Sequence, residues 1–182
     1  MKKLLLLVAV AVGLTACGRH TVEPGYVGVK INRTGGEKGI SQEVLPPGRY
    51  WLSVNEEVYD FPTFTQNYTW SKSSNEGRAA DESLTIQSTE GMGINMDLGI
   101  SYEIEAAKVP DIFQKYHKGV DELTDIVLRN AVRDALTEVA SKMSVEDIIG
   151  PKKTELIAGA ENKIKHKFDT MGIKVDALNL IG

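Results

Sequence analysis

Met92-Gly93-Ile94-Asn95-Met96-Asp97-Leu98-Gly99-Ile100-Ser101-Tyr102-Glu103-Ile104 is the stretch that decides the fold class. Met92, Ile94, Met96, Leu98, Ile100, Tyr102 and Ile104 occupy seven successive alternate positions. Small or polar residues fill the positions between. Side chains on an extended chain point alternately to opposite faces, so this pattern predicts a long strand with one face in a core. A slip of one residue would move the whole apolar set into water, which fixes the register.

Upstream the grammar stays that of strands. Val27, Val29 and Ile31 alternate with Gly28 and Lys30. Thr34-Gly35-Gly36-Glu37-Lys38-Gly39 reads as the turn of a hairpin, and Ile40 to Leu45 runs into Pro46-Pro47-Gly48. Short strands are expected at 49–52, 57–61 and 64–70. A polar loop follows at 71–81, then a strand through Leu84 and Ile86 that turns at Thr89-Glu90-Gly91.

Downstream the period changes from two to that of a helix. A short helix is expected over 110–118, with Pro110 in its first turn. A longer one is expected over 121–143, its inner face built from Leu123, Ile126, Val127, Asn130, Ala131, Leu136, Val139, Ala140 and Met143. Ser144-Val145-Glu146-Asp147 caps a single turn ending near Gly150. A third helix is expected over 151–171, buried through Leu156, Ile157, Ala160, Ile164 and Phe168 and stopped by Gly172. An edge-like strand through Ile173, Val175, Ala177, Asn179 and Ile181 closes the chain. Strands first and helices later predict an α+β domain, with helices packed on one face of a mostly antiparallel sheet.

The 182 residues are 42% hydrophobic and 25% charged, with a formal charge of −4. This is a globular composition with no basic stripe, so no nucleic-acid partner is expected. There is one cysteine and there are three histidines, which makes a multi-ligand zinc site improbable and an internal disulfide impossible. No metalloprotease, serine-hydrolase or P-loop motif is present. Gly91-Met92-Gly93 begins like a dinucleotide fingerprint, but it lacks the third glycine and leads into a strand. His20, His117 and His166 have no partner pattern nearby, and the last two suit solvated helix faces. Asp121, Glu122 and Asp125 suit the positive end of a helix dipole better than a cation site. Catalytic residues, metal ligands and cofactors are accordingly all expected to be none.

The N-terminus carries the one chemical signal. Met1-Lys2-Lys3 precedes nine uninterrupted apolar residues, Leu4 to Val12. That run is far shorter than the about 20 residues a membrane span needs, and it fits a secretory leader. Leu14-Thr15-Ala16-Cys17 resembles the close of a bacterial lipoprotein signal. The resemblance implies lipid on the Cys17 thiol, cleavage before Cys17 and acylation of the new amine. Residues 1–16 would be the signal peptide, 17–24 a lipidated tether and 25–182 the folded domain. Losing Lys2 and Lys3 takes the formal charge from −4 to −6. In Gram-negative lipoproteins an Asp after the Cys marks inner-membrane retention; here that residue is Gly18. One acyl chain gives marginal membrane binding and stable anchoring takes at least two, so the several chains of this modification would hold the protein.

Tyr50, Trp51, Tyr59, Phe61, Phe64, Tyr68 and Trp70 supply seven of the twelve aromatic residues. They suit the core of short strands, or a membrane interface for one or two of the rings.

From Val22 to Ile181 the order of features resembles the SPFH or Band 7 domain of stomatins, prohibitins, flotillins and HflK–HflC. Val22-Glu23-Pro24-Gly25-Tyr26-Val27-Gly28-Val29 is similar to its opening strand, and Leu45-Pro46-Pro47-Gly48-Arg49-Tyr50 to its L-x-P-G turn. Val58-Tyr59-Asp60-Phe61-Pro62 and the stretch from Thr89 to Ile104 match its later strands. Val132-Arg133-Asp134-Ala135-Leu136 matches its central helix, Ser144-Val145-Glu146-Asp147-Ile148 its short capped turn, and Gly172-Ile173-Lys174-Val175 its closing strand.

The resemblance implies a non-enzymatic, membrane-associated scaffold that forms homo-oligomers and modulates a membrane protease of the FtsH type. The lipoprotein-type leader adds the place: a cell-envelope membrane, lipid-anchored, on the periplasmic side in a Gram-negative host. Two departures stand out. Lipid on Cys17 replaces the usual N-terminal membrane helix, and the chain stops at Gly182, where the family's long assembly helix begins. Either the sequence is a fragment or this is a minimal domain. A monomeric envelope binding or inhibitor lipoprotein is the competing reading.

Overall fold

The computed structural model describes residues 18–34, 38–73 and 81–181. Among the described residues, ten strands come in four antiparallel groups. The first half holds β1 (Gly18–Val22), β2 (Tyr26–Asn32), β3 (Gly39–Leu45), β4 (Gly48–Leu52) and β5 (Glu56–Pro62). β2 is central to the sheet β3-β2-β5, and β1 and β4 form a separate two-stranded ribbon. The expected β2–β3 hairpin forms; positions 35–37 of its turn lie outside the described residues.

The second half holds β6 (Gln66–Trp70), β7 (Leu84–Gln87), β8 (Gly93–Met96), β9 (Leu98–Ile104) and β10 (Ile173–Leu180). The deciding stretch is extended as expected, and Met96, Leu98, Ile100, Tyr102 and Ile104 are all buried. It is not one strand, however. β8 pairs with β7, whereas β9 is the middle of the sheet β10-β9-β6. The change of partner happens at Asp97. Its carboxylate accepts from the Ser71 hydroxyl (3.0 Å) and the Lys72 amide (3.1 Å), and its carbonyl accepts from the Ile181 amide (2.9 Å). Met92, at the turn, is exposed.

After a 3₁₀ turn (Ala106–Lys108), α1 spans Val109–Tyr116. It lays Phe113 against Phe61, at a centroid separation of 6.2 Å, and against Tyr59, at 4.8 Å. The next helix, α2, covers 120–140 in three parts: Val120–Glu122, a π-helical stretch Leu123–Leu128, and Arg129–Ala140. α3 is Val145–Ile149 and α4 is Lys153–Asp169. Ser144 caps α3 by accepting from the Asp147 amide (3.2 Å), as its sequence predicts. α4 packs on β10 and on α2, so the helices of this half cover one face of the strands.

The π-helical stretch corrects the expected inner face of α2. A π turn holds more residues than an α turn, so it shifts the phase of everything around it. Leu123, Thr124 and Leu128 are buried, whereas Ile126 is exposed and so is Asn130. The polar group brought inside is satisfied: the Thr124 hydroxyl donates to the Val120 carbonyl (2.9 Å), and the Tyr102 hydroxyl on β9 lies 2.5 Å from Thr124 Oγ1.

Gly172 follows α4 with φ +81°, a conformation that L side chains rarely adopt. A Cβ there would stand 2.3 Å from Lys108 Cβ, and the Gly172 carbonyl accepts from the Glu105 amide (2.8 Å). The turn into β10 is thereby pressed against the exit of β9, and β10 pairs with β9 over its length.

Candidate functional site at the N-terminal ribbon

Cys17, the predicted lipid-bearing residue, lies outside the described residues, one peptide bond before Gly18. The segment expected as a tether contains β1, which pairs with β4 in the register Gly18↔Leu52, Arg19↔Trp51, His20↔Tyr50, Thr21↔Arg49 and Val22↔Gly48. Residues paired across an antiparallel ladder share a face, and so do alternate residues along a strand. The ribbon therefore sorts its side chains into two sets. His20, Val22, Tyr50 and Leu52 turn inward; Arg19, Thr21, Arg49 and Trp51 turn outward and are exposed.

The inward set is fastened to the domain. His20 Nε2 lies 3.0 Å from both carboxylate oxygens of Asp60 on β5, a pairing across forty residues that sequence spacing does not reveal. Asp60 stands opposite Gly28 in the β2–β5 ladder. At Gly28 an added Cβ would come within 2.8 Å of Val58 Cγ1 and 3.1 Å of Val22 Cγ2. The missing side chain is what lets the ribbon lie down on β2. Tyr50 donates from its hydroxyl to the Pro46 carbonyl (2.6 Å), closing the proline-rich turn before β4.

The aromatic cluster is only partly in the core. Phe61 and Trp70 are in the core, and Tyr68 packs against Trp70. Phe64 meets Tyr26 edge-on at 5.5 Å. Trp51 stands apart, outside the core and exposed.

The remaining predicted positions do not converge on chemistry. Among the described residues no hydroxyl or thiol bonds the second ring nitrogen of His20, so the pair with Asp60 is not extended into a nucleophilic triad. His117 ends α1 in the left-handed region (φ 51°) and is exposed, as is His166 on α4. Among the described residues no group of three or more His, Cys, Asp or Glu side chains could hold a metal ion. Gly91 sits in the turn before β8, and Gly93 opens a strand, so no helix N-terminus follows that could hold a phosphate.

One cleft of about 360 Å³ runs between β7 and α2, with Thr85, Asp125, Ile126, Arg129 and Arg133 on its walls. Arg129 Nη2 is committed to the Glu82 carbonyl (2.9 Å), and Arg133 lies 3.8 Å from Asp134. This is a polar surface groove rather than an assembled acid–base site. No helix among the described residues is long and apolar enough to cross a membrane.

Residues 20–181 match the SPFH domain / Band 7 family. Among curated proteins, none matches the chain.

Proposed function

Because this chain belongs to the SPFH domain / Band 7 family, a membrane-associated and generally non-enzymatic group of scaffold type, we propose that it is a lipid-anchored scaffold of a cell-envelope membrane. The observation that carries the reading is the adjacency of two signals. A lipoprotein-type leader ends at Cys17, and the family domain begins at residue 20. Lipid on Cys17 then does the work of a membrane helix. The domain from 25 to 182, with 1–16 removed, presents its surface to neighbouring copies and to a membrane protease of the FtsH type. Its chemistry is recruitment and spacing, with no cofactor and no catalytic group.

Cys17→Ser tests the anchor. The wild-type protein should partition into the detergent phase and carry acyl mass on its N-terminal fragment; the variant should stay unprocessed or soluble. Partitioning unchanged by the substitution would remove the lipid anchor. Assembly is tested separately. Residues 18–182 without lipid should be monomeric by light scattering, since a small polar interface between acidic copies is weak. Anchoring concentrates the copies in one plane, so the lipidated form should crosslink into clusters in membranes. Monomer in both settings would replace the scaffold by a binder of a single partner.

A further inference from the structure

The outward face of the β1–β4 ribbon combines an exposed aromatic ring with two arginines. Trp51 is 75% exposed, and Val54, two residues beyond β4, is 74% exposed. Arg19 lies directly opposite Trp51, and Arg49 is two residues before it on the same face. Among the described residues neither arginine enters an ion pair. In a chain of formal charge −4, two free guanidinium groups around a bare tryptophan make a local reversal of sign.

The position of this face is fixed by covalent geometry. Arg19 is two residues after Cys17, a reach of at most about 7 Å, and the ladder adds about 5 Å. The Trp51 backbone therefore lies within about 12 Å of the Cys17 backbone. The polar zone on each side of a bilayer is only about 5–8 Å deep. A domain held by acyl chains on Cys17 thus keeps Trp51 within reach of the lipid headgroups when the ribbon's outward face is turned to the bilayer.

We infer that this face, formed by Arg19, Arg49 and Trp51, is a membrane-contact surface. The indole lies among the headgroups, and the two guanidinium groups lie against phosphates of anionic lipid. Tryptophan favours that interface because its ring is apolar and its N–H is wet, and arginine is drawn by the negative surface potential. The anchor and the face act as two signals on one side of the domain, which sets its orientation as well as its attachment. This rests on the lipid-anchored reading, and the experiment separates the two.

The chain has two tryptophans, and Trp70 is completely buried. The difference in emission between wild type and Trp51→Phe therefore reports Trp51 alone. The full lipidated protein would be placed in vesicles of phosphatidylethanolamine and phosphatidylglycerol, with or without bromine on the acyl chains near the headgroup. The Trp51 component should shift to shorter wavelength, lose most of its intensity to brominated lipid and resist aqueous acrylamide. In Arg19→Gln/Arg49→Gln the bromine quenching should shrink, and high salt should reduce it in the wild type.

Trp51 open to acrylamide and blind to bromine, in protein still anchored through Cys17, would overturn the contact surface and leave the anchor standing. Trp51 shielded from acrylamide yet blind to bromine would assign the face to a protein and overturn it equally. Vesicle association unaltered by Cys17→Ser would overturn the anchor reading and this inference with it.

Discussion

Thr124→Val should destabilise the domain more than Tyr102→Phe, although both remove a single oxygen from the same contact. Tyr102 and Thr124 are 1% and 3% exposed, and their hydroxyls lie 2.5 Å apart. Thr124 spends its proton on the Val120 carbonyl, so the Tyr102 hydroxyl must be the donor to Thr124 Oγ1. Removing the phenol oxygen leaves Thr124 bonded to Val120; the loss is one hydrogen bond, about 1 kcal/mol. Removing the threonine oxygen breaks both bonds and leaves the Tyr102 hydroxyl buried with no acceptor. That adds a desolvation penalty of about 1–3 kcal/mol. The double variant has no orphan group and loses the shared bond only once, so it should be less destabilised than the sum of the singles by about 2–4 kcal/mol. Equilibrium unfolding in urea, followed by circular dichroism with m-values held in common, measures all three. Equal costs for the two singles, with strict additivity in the pair, would refute the donor assignment and the closure of this contact to water.

Other outcomes can be checked on the same preparation. Gly172→Ala should cost at least about 2 kcal/mol, from a left-handed backbone and a Cβ 2.3 Å from Lys108 Cβ, read as a lowered urea midpoint. Leu98→Asp buries an unpaired charge in β9, the middle strand of its sheet, and should lower the melting temperature far more than Gly99→Ser, whose new atom meets the flexible end of Ile181 at 3.3 Å; similar melting temperatures would discredit the register. Burial pushes the Tyr102 phenol above its ordinary value of 10.0, so folding holds that proton more tightly than the unfolded chain does. Stability from this group is intact below about pH 10 and is lost as pH rises through the raised value; Tyr102→Phe should flatten the alkaline limb of a stability–pH curve. The Lys163 ammonium, 2.7 Å from Glu138, holds that carboxyl below its usual 4.5. Its small contribution is present above that value and lost as pH falls through the lowered one, so Glu138→Gln should flatten the acid limb slightly.

The α+β class could be read from the chain because its cause is local. Strand alternation is a property of consecutive residues, and so are the Ser144 cap and the glycine after α4. What escaped reading depended on partners distant in sequence. Period two continues unbroken through Asp97 because the backbone stays extended there; only Ser71, Lys72 and Ile181 reveal that the ladder changes hands. The π-helical stretch is hidden because it turns a polar residue, Thr124, inward and an apolar one, Ile126, outward, the reverse of what hydropathy suggests. At the N-terminus, Gly18–Val22 is rich in polar residues and has the composition of a tether. It becomes a strand only because β4 lies beside it and Asp60 takes His20. The outward face of that ribbon was likewise invisible, since Arg19 and Trp51 meet only through the pairing.

The Asp97 junction bears on the order in which the molecule is completed. It joins positions 71, 97 and 181, and β9 gains its second neighbour only from β10, which lies about seventy residues further along the chain. Contacts this far apart in sequence form late, because the intervening chain must first be gathered. Until β10 emerges from the ribosome, β9 has one open edge and α4 lacks the strand it covers. A chain threaded N-terminus first through a narrow channel would therefore leave this sheet incomplete until β10 has passed to the far side.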